Sequence, residues 1–253
     1  MEKLDIRERI DRFVSTLPDV VAVKAYGSSI AYQSGYSKDE KKQVDLIVIV
    51  DDIKKFYAYN LKKNGYMYHL VPKVYFSVAS ADQLKSGAGI CYTSHINYMG
   101  DVFKMGAIEK QDVLNDLLHW NTFYMAGRFQ KEMYTSVYDD DIELANKINK
   151  KNALIVALLM LDKEKPTTLD LYESLCSLSY MGDSRKKFKA EDPNKVKKLA
   201  SGSYEYFNKE YRDKTDLFKE KLDGTIEIDY KKLSNEVDLL PSKLTERIYS
   251  NIS

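Results

Sequence analysis

The segment VDLIVIV, Val44–Val50, constrains the fold more than any other stretch of this chain. It is rich in β-branched residues and apolar except for one position, so it predicts a β-strand. A strand that is apolar on both faces has to be covered on both sides, which places it centrally in its sheet. The exception is Asp45, and an ionised carboxylate in such surroundings costs free energy unless a cation or a donor meets it.

The preceding segment, VVAVKAY, predicts a second strand that ends at Tyr26 and is followed by Gly27, Ser28 and Ser29. We expect the serines to cap a short helix that runs towards Gln33. The first turn of a helix has unpaired N–H groups and the positive end of the dipole, which suit phosphate oxygens. The turn is therefore a candidate triphosphate site, and a Gly-Ser turn without a ligand is the alternative.

The remaining pattern predicts a mixed α/β part followed by a mainly helical part. Helices are expected before Pro18, over Ile53–Asn64 and through 109–130, a strand at 101–108, and a loop at 86–94. The segment 73–80 fits either a strand or a helix. The acidic stretch 134–144 marks the expected boundary, and the chain after it is expected to be helical.

Composition excludes several classes of protein. The 39 basic and 38 acidic residues nearly cancel, so charge gives no reason to expect a nucleic-acid partner. Cys91 and Cys176 form no C-x-x-C pair, which argues against a disulfide framework and a zinc site and fits a reducing compartment. The first residues lack an apolar core, so no signal or transit peptide is expected. The longest apolar run, Ala153–Leu161, is far shorter than the roughly 20 residues of a membrane-spanning helix.

A magnesium ion would meet the charge of Asp45, since Mg²⁺ takes one or two carboxylates together with substrate phosphate oxygens. The alternative is an aspartate at the exposed start of a strand. The order of elements resembles the nucleotidyltransferase fold: a strand, a Gly-Ser turn, a helix and then a strand that bears a carboxylate. Its usual second acid is replaced by Ile47, and the next acid on the same face is Asp51, with Asp52 beside it.

Several blocks in one order extend this resemblance. They are AYGSSIAYQ, VDLIVIVDD with NLKKN, GAGICY, FKMGAI, DLLHWNTFYMAGRFQK and SLSYMGDSRK, covering Tyr26 to about Lys187, and then LPSKL. Together they resemble the mitochondrial-type phosphatidate cytidylyltransferases, the translocator assembly and maintenance family of CDP-diacylglycerol synthases. The chain has Phe56-Tyr57 and Met67–His69 where members commonly have Trp-His and His-Tyr-Ser, so no histidine role is carried over.

The resemblance implies an α+β fold, with a nucleotidyltransferase-type mixed sheet domain at 1–135. A helical, winged-helix-like domain at 136–253 would close the active-site cleft. The implied activity converts CTP and phosphatidic acid to CDP-diacylglycerol and pyrophosphate with Mg²⁺. The expected location is peripheral on a membrane, cytoplasmic at its inner face for a bacterial-type protein and on the matrix side in the family's eukaryotic members.

The expected roles follow the matched blocks. The catalytic residues would be Asp45, Asp183 and Lys104, with both aspartates as metal ligands. CTP would contact Tyr26, Gly27, Ser28, Ser29, Asn121 and Arg128, and phosphatidate or the membrane would contact Lys131, Arg185, Lys186 and Lys187. The ordinary alternatives are that Asp183 caps a helix, that the basic residues lie on solvated faces and that Trp120, beside Asn121, belongs to a core.

Two other functions stay open on the sequence. One is a nucleotidyltransferase that acts on a nucleic acid, a small molecule or a protein hydroxyl. Such a neutral alcohol needs a base, and Ile47 leaves the usual place of that carboxylate without an acid. The other is a catalytically inert nucleotide-fold module, which the missing second acid favours. Phosphatidic acid needs no base, because its phosphate, with a second pKa near ~6, is already largely dianionic at neutral pH.

Overall fold

The computed structural model describes residues 5–31, 43–78, 87–181, 194–242 and 244–245. Contacts divide the chain into two compact units. Of the described residues, the first unit contains those up to Ala31, those from 43 to Leu114, and Met133–Glu143. The second contains Asn115–Glu132 and the chain from Leu144 onwards. Neither unit is continuous along the chain, and the domain assignment 1–135 and 136–253 stays a prediction.

The first unit is built on a mixed sheet flanked by helices. Its elements are α1 (Ile6–Val14), β1 (Ala22–Tyr26), β2 (Val44–Val50), α2 (Ile53–Asn64), a 3₁₀ turn (Gly65–Met67), α3 (Leu70–Val78), β3 (Ile90–Tyr98), β4 (Asp101–Glu109), the start of α4 (Lys110–His119), β5 (Tyr134–Val137) and the start of α6 (Asp140–Leu159). In the described part of the chain the sheet order is β3-β4-β2-β1-β5. β2 and β4 run parallel, and the other neighbours are antiparallel. The predicted central position of β2 is confirmed.

The two faces of β2 have different surroundings. Leu46 and Val48 face the main core of this unit, where Phe13 of α1 stacks on Phe103 of β4 with ring centroids 4.2 Å apart. Burying each such apolar side chain contributes about 1.5–3 kcal/mol. Because side chains alternate along a strand, Asp45 lies on the opposite face. The core therefore fixes the register that presents the carboxylate.

The second unit is mainly helical. Its elements are α5 (Tyr124–Phe129), most of α6, α7 (Thr168–Met181), α8 (Lys195–Gly202), α9 (Tyr204–Phe207), a π-helical turn (Asn208–Arg212), the hairpin β6 (Phe218–Glu220) and β7 (Ile226–Ile228), and α10 (Tyr230–Val237). Thr167, just before α7, forms an antiparallel bridge with Thr225 beside the hairpin. A hairpin bridged in this way to a helical layer agrees with the winged-helix-like prediction. The hairpin itself was not predicted.

Several boundaries differ from the sequence predictions. The expected loop 86–94 becomes a strand from Ile90, and the stretch 134–144 begins with β5. The undecided segment 73–80 is helical through Val78. The long helix expected at 109–130 is broken, because Trp120 and Phe123 have left-handed backbones with φ of 51° and 61°. Among the helices that the structure describes, none combines the length and apolar character needed to cross a bilayer.

Candidate active site

Asp45 lies between two strands that supply its neighbours. Its register partners are Tyr26 on β1 and Lys104 on β4. Directly opposed residues point to the same face of a sheet. Asp45 Oδ1 lies 4.0 Å from Lys104 Nζ, and the two side chains are 30% and 35% exposed. The carboxylate therefore has a cation partner and remains accessible to a ligand.

The turn after β1 approaches the same carboxylate. Gly27 has a left-handed φ of 83°, and a Cβ built on it would lie 3.2 Å from Asp45 Oδ2. Its carbonyl oxygen accepts the N–H groups of Ile30 at 3.0 Å and Ala31 at 2.9 Å. Within the described residues Ser28–Ile30 form a turn, and the expected helix towards Gln33 extends into residues 32 and 33, which lie outside them, so it stays a prediction.

The two serines of this turn differ in exposure. Ser28 is exposed. The Oγ of Ser29 is buried and has no hydrogen-bond partner in the structure that the described residues form. A buried hydroxyl without a hydrogen-bond partner costs free energy. A hydrogen bond from a ligand to this oxygen would remove that cost. Both serines remain candidate CTP contacts.

Tyr92 on β3 completes the set, and sequence reasoning missed it. Its hydroxyl lies 3.3 Å from that of Tyr26, and Lys104 Nζ lies 4.7 Å from its ring centroid. Gly106, opposite Tyr92, leaves room for the ring, since a Cβ there would lie 2.7 Å from Tyr92 Cε1. The sequence signal for both residues lies in the blocks GICY, which contains Tyr92, and FKMGAI, which contains Gly106.

Lys24 is a second residue that sequence reasoning missed. It pairs in register with Ile47, the residue at the usual place of the second acid, and both are buried. Lys24 Nζ donates to Thr135 Oγ1 at 2.9 Å and to Glu143. Its charge is therefore balanced by Glu143, an acid from a distant part of the chain. The available signal was a lysine inside the apolar segment VVAVKAY.

The other acids near β2 do not join Asp45. Asp51 is six residues further on, about 20 Å along an extended strand at about 3.3 Å per residue. Asp52 caps α2, because its Oδ1 accepts the N–H of Lys55 at 2.9 Å. In the described ranges, no group of three or more His, Cys, Asp or Glu side chains is arranged to hold a metal ion.

Asp45 and the turn at Gly27 are the candidate place for a magnesium ion. The carboxylate of Asp45 is part-exposed, and its Oδ2 faces the turn at Gly27. Because glycine has no side chain, space remains beside this oxygen. This donor set fits an ion whose remaining ligands are phosphate oxygens and water. The predicted second ligand, Asp183, lies outside the described residues, as do Arg185, Lys186 and Lys187.

Three predicted substrate contacts lie in the second unit. Asn121 is exposed, and Lys131 is half-buried. Arg128 donates from Nη1 to Tyr124 O at 2.9 Å, and its guanidinium carbon lies 3.5 Å from the Tyr124 ring centroid. Its Nε is buried without a hydrogen-bond partner in the described structure. The stacked guanidinium has a fixed orientation, which suits phosphate recognition.

Asp116 holds the loop that carries Asn121, and sequence reasoning missed this role. Its carboxylate is buried and accepts four backbone N–H groups. Oδ1 accepts from Thr122 at 2.6 Å and Phe123 at 2.7 Å, and Oδ2 accepts from Met125 at 2.7 Å and Ala126 at 3.1 Å. The carboxylate therefore stabilises the left-handed turn between α4 and α5.

Asn149 of α6 fixes the same segment from the other side. Its Oδ1 accepts from Trp120 Nε1 at 2.9 Å and Gln130 Nε2 at 3.2 Å, and its Nδ2 donates to Ala126 O at 3.0 Å. Trp120 is buried, as the core alternative predicts. No signal short of the tertiary contacts connected Asn149 to residues about 20 to 30 positions away.

Tyr57, Cys91 and Cys176 are buried and take no part in the candidate site. Tyr57, at a place where the family commonly has histidine, is buried and stacked on Phe76 with centroids 3.7 Å apart. Cys91 and Cys176 are both free and buried. Burial raises the pKa of the Cys91 thiol to about 11 and that of the Cys176 thiol to about 12. At neutral pH neither provides the thiolate that nucleophilic catalysis requires.

A mixed five-stranded sheet, a lone carboxylate beside a left-handed glycine turn and an attached helical unit define an α+β protein with a nucleotidyltransferase-like domain. The family model described as mitochondrial phosphatidate cytidylyltransferase matches residues 10–253. The chain therefore belongs to this family.

Three relatives illustrate the similarity, and all are named mitochondrial phosphatidate cytidylyltransferase. The Schizosaccharomyces pombe protein is 38% identical over 209 residues, which cover 82% of this chain and 53% of that protein. The Saccharomyces cerevisiae protein is 32% identical over 195 residues, covering 75% and 50%. The Homo sapiens protein is 32% identical over 204 residues, covering 79% and 45%. The chain spans about half the length of these curated relatives.

Proposed function

We propose that this chain is a phosphatidate cytidylyltransferase, which converts CTP and phosphatidic acid to CDP-diacylglycerol and pyrophosphate. The observation that carries the proposal is membership of the family over residues 10–253. The relatives' names state this activity for those proteins. Asp45, Gly27 and Lys104, gathered on one sheet face, support it because they offer a carboxylate, a tight turn and a cation to a nucleotide.

Each residue of the site has a defined task in this proposal. The turn at Gly27 and the hydroxyl of Ser29 bind triphosphate oxygens. Lys104, held over the Tyr92 ring, balances the negative charge that develops on the phosphates. Asp45 would hold Mg²⁺, which, when bound, supplies charge neutralisation at the phosphate. Tyr26 sets the position of Tyr92 through their hydroxyl contact.

The reaction needs positioning more than acid–base chemistry. A phosphate oxygen of phosphatidic acid attacks the α-phosphorus of CTP in line, and the bond to the departing pyrophosphate breaks. The attacking group is a phosphomonoester with a second pKa near ~6, so it is already largely deprotonated at neutral pH. The site face at Asp45 therefore needs no general base, and the acid-free position of Ile47 is compatible with this acceptor.

The partners and location are part of the proposal. They are CTP, phosphatidic acid and a membrane surface, with no nucleic acid. We place the chain peripherally on the membrane, at the cytoplasmic inner face for a bacterial-type protein or on the matrix side in a mitochondrion. Asp183 as a second metal ligand and Arg128 and Lys131 as phosphate contacts complete the proposed machinery. Arg185, Lys186 and Lys187 are proposed to contact the lipid.

A direct assay tests the proposal. Purified chain is incubated with labelled CTP, Mg²⁺ and phosphatidic acid in detergent micelles, and the lipid fraction is analysed for CDP-diacylglycerol. Label in that product, with stoichiometric pyrophosphate, is the expected result. Label transferred instead to a nucleic acid, a small molecule or a protein identifies another acceptor. CTP binding without transfer to any of these supports an inert nucleotide-fold module.

A further inference from the structure

Helix α3 carries apolar side chains both on its buried side and on its exposed side. Phe76 points inward and stacks on Tyr57 of α2. Leu70 and Val74, one helical turn apart, lie on the opposite side and are 73% and 53% exposed. A surface helix of a globular protein normally shows charged and polar residues on its outer face. The outer face of α3 therefore departs from the pattern expected where only water covers it.

The elements just before α3 also expose large apolar side chains. Tyr66, in the turn between α2 and α3, is 77% exposed, and Tyr59 on α2 is 59% exposed. Lys62 and Lys63, three and four positions after Tyr59, lie on the same face of α2 and are exposed. Tyrosine and lysine both combine an apolar body with a polar end, a combination that suits the boundary between lipid and water.

The charge of this segment has one sign. From Ile53 to Val78 the chain contains five lysines and no Asp or Glu, although the whole chain is nearly neutral. Along the chain, Asp51 and Asp52 precede this segment at the N-terminal end of α2, and the next acid after it is Asp82, outside the described residues. An exposed apolar face bordered by lysines matches the surface of an anionic bilayer in both respects.

We infer that α2, α3 and the turn between them form a bilayer-docking surface, defined by Tyr59, Lys62, Lys63, Tyr66, Leu70 and Val74. Leucine, valine and the tyrosine rings enter the boundary between headgroups and acyl chains, and the lysines contact anionic headgroups. This inference rests on the proposed function, in which the acceptor is an anionic lipid of a membrane. It places docking on the first unit, which also carries Asp45.

Vesicle binding by the full chain tests the inference. Co-sedimentation is measured with vesicles of phosphatidylcholine alone and of phosphatidylcholine containing phosphatidic acid. Leu70→Asp is expected to lower affinity for the mixed vesicles at least about tenfold, because a leucine leaves the apolar layer. Lys62→Gln with Lys63→Gln should lower it about 30-fold, since each lysine near an anionic surface contributes a factor of about five.

Matched controls separate docking from general surface effects. Met99, in the turn between β3 and β4, is as exposed as Leu70, at 73%, and has a left-handed backbone that tolerates aspartate. Met99→Asp should bind the vesicles as the wild type does. Lys219→Gln with Lys221→Gln, at exposed lysines of the second unit, should also leave binding unchanged.

Activity in micelles distinguishes failure of this inference from failure of the proposed function. The docking variants should keep wild-type cytidylyl transfer to phosphatidate in detergent micelles and lose it on vesicles. Absence of transfer by the wild type in micelles rejects the function, whereas vesicle binding still tests the surface. The inference is overturned when Leu70→Asp binds mixed vesicles as well as Met99→Asp does. It is equally overturned when Leu70→Asp converts a dimer to a monomer without changing vesicle binding.

Discussion

The Cα of Gly27 faces the carboxylate of Asp45 so closely that a Cβ would lie 3.2 Å from Oδ2. The glycine also has a φ of 83°, so its lack of a side chain serves both the backbone and the site. Gly100 offers a comparison, because its φ is 85° and no described residue other than its chain neighbours has an atom within 4 Å of its Cβ position.

Gly27→Ala and Gly100→Ala should therefore separate strain from contact. Both variants should lose about 1 kcal/mol of stability, the usual cost of a non-glycine left-handed residue. Gly27→Ala should in addition raise the KM for CTP by about tenfold or more, because its methyl group displaces Asp45. Urea unfolding and steady-state kinetics measure the two effects. Equal KM values in the two variants contradict a role of this turn in nucleotide binding.

Asp45→Asn should lower turnover at least about a hundredfold, because the change removes the proposed metal ligand. Folding should be nearly unaffected, since its part-exposed pair with Lys104 is worth at most about 1 kcal/mol. The control is Asp101→Asn, which removes a carboxylate from the same sheet where it accepts from Arg9 at 2.6 Å. A wild-type rate for Asp45→Asn rejects the metal role.

Asp116→Ala should destabilise the second unit by at least about 3 kcal/mol, because four backbone N–H groups lose a buried acceptor. The single tryptophan of the chain, Trp120, begins the loop that Asp116 holds, so its fluorescence reports the change directly. Asp112→Ala, at a half-buried acid on the same helix, is the control. Unchanged Trp120 emission in Asp116→Ala would show that the loop holds its conformation without the carboxylate.

The pKa of Glu210 gives a stability prediction with a defined sign. Burial raises this pKa, but hydrogen bonds from Lys150 at 2.8 Å and Lys214 at 2.9 Å outweigh burial and bring the pKa below the ordinary value of a glutamate. The unfolded chain then binds a proton at higher pH than the folded chain does. The resulting stability is present above the pKa of the unfolded glutamate and is lost as pH falls through the lower pKa of the folded state.

Glu210→Gln should therefore flatten the acid side of the stability profile. At neutral pH this variant should be less stable by about 1 kcal/mol, since the pairs are part-exposed. Urea midpoints measured from neutral to acidic pH should fall less steeply for Glu210→Gln than for the wild type. Glu205→Gln, at an exposed glutamate on the preceding helix, should follow the wild-type profile. Parallel profiles for wild type and Glu210→Gln would exclude this linkage.

The sequence predicted those helices and strands that depend on the pattern of neighbouring residues. The predicted helix 53–64 has the bounds that the structure gives for α2, and the central strand 44–50 and the helix before Pro18 also form. The long helix through 109–130 was wrong, because its break depends on Asp116 accepting N–H groups from residues up to ten positions later. The strand β3 was not predicted, because the glycines before and at its start indicate a loop and its pairing with β4 is a tertiary contact.

The sequence by itself determined a central strand with one charged residue, a glycine turn before it and the ordered blocks that identify the family. The strand and the turn follow from neighbouring residues, because side-chain alternation and backbone sterics act locally. The family follows from the order of the motifs along the chain. Only the tertiary structure decided that Lys104 and Tyr92 would meet Asp45, that Glu143 would balance Lys24, and that Ile47 would be buried opposite Lys24. These pairings depend on the register between strands that are distant in sequence. Packing of the core fixes that register, and it cannot be read from the local pattern of residues.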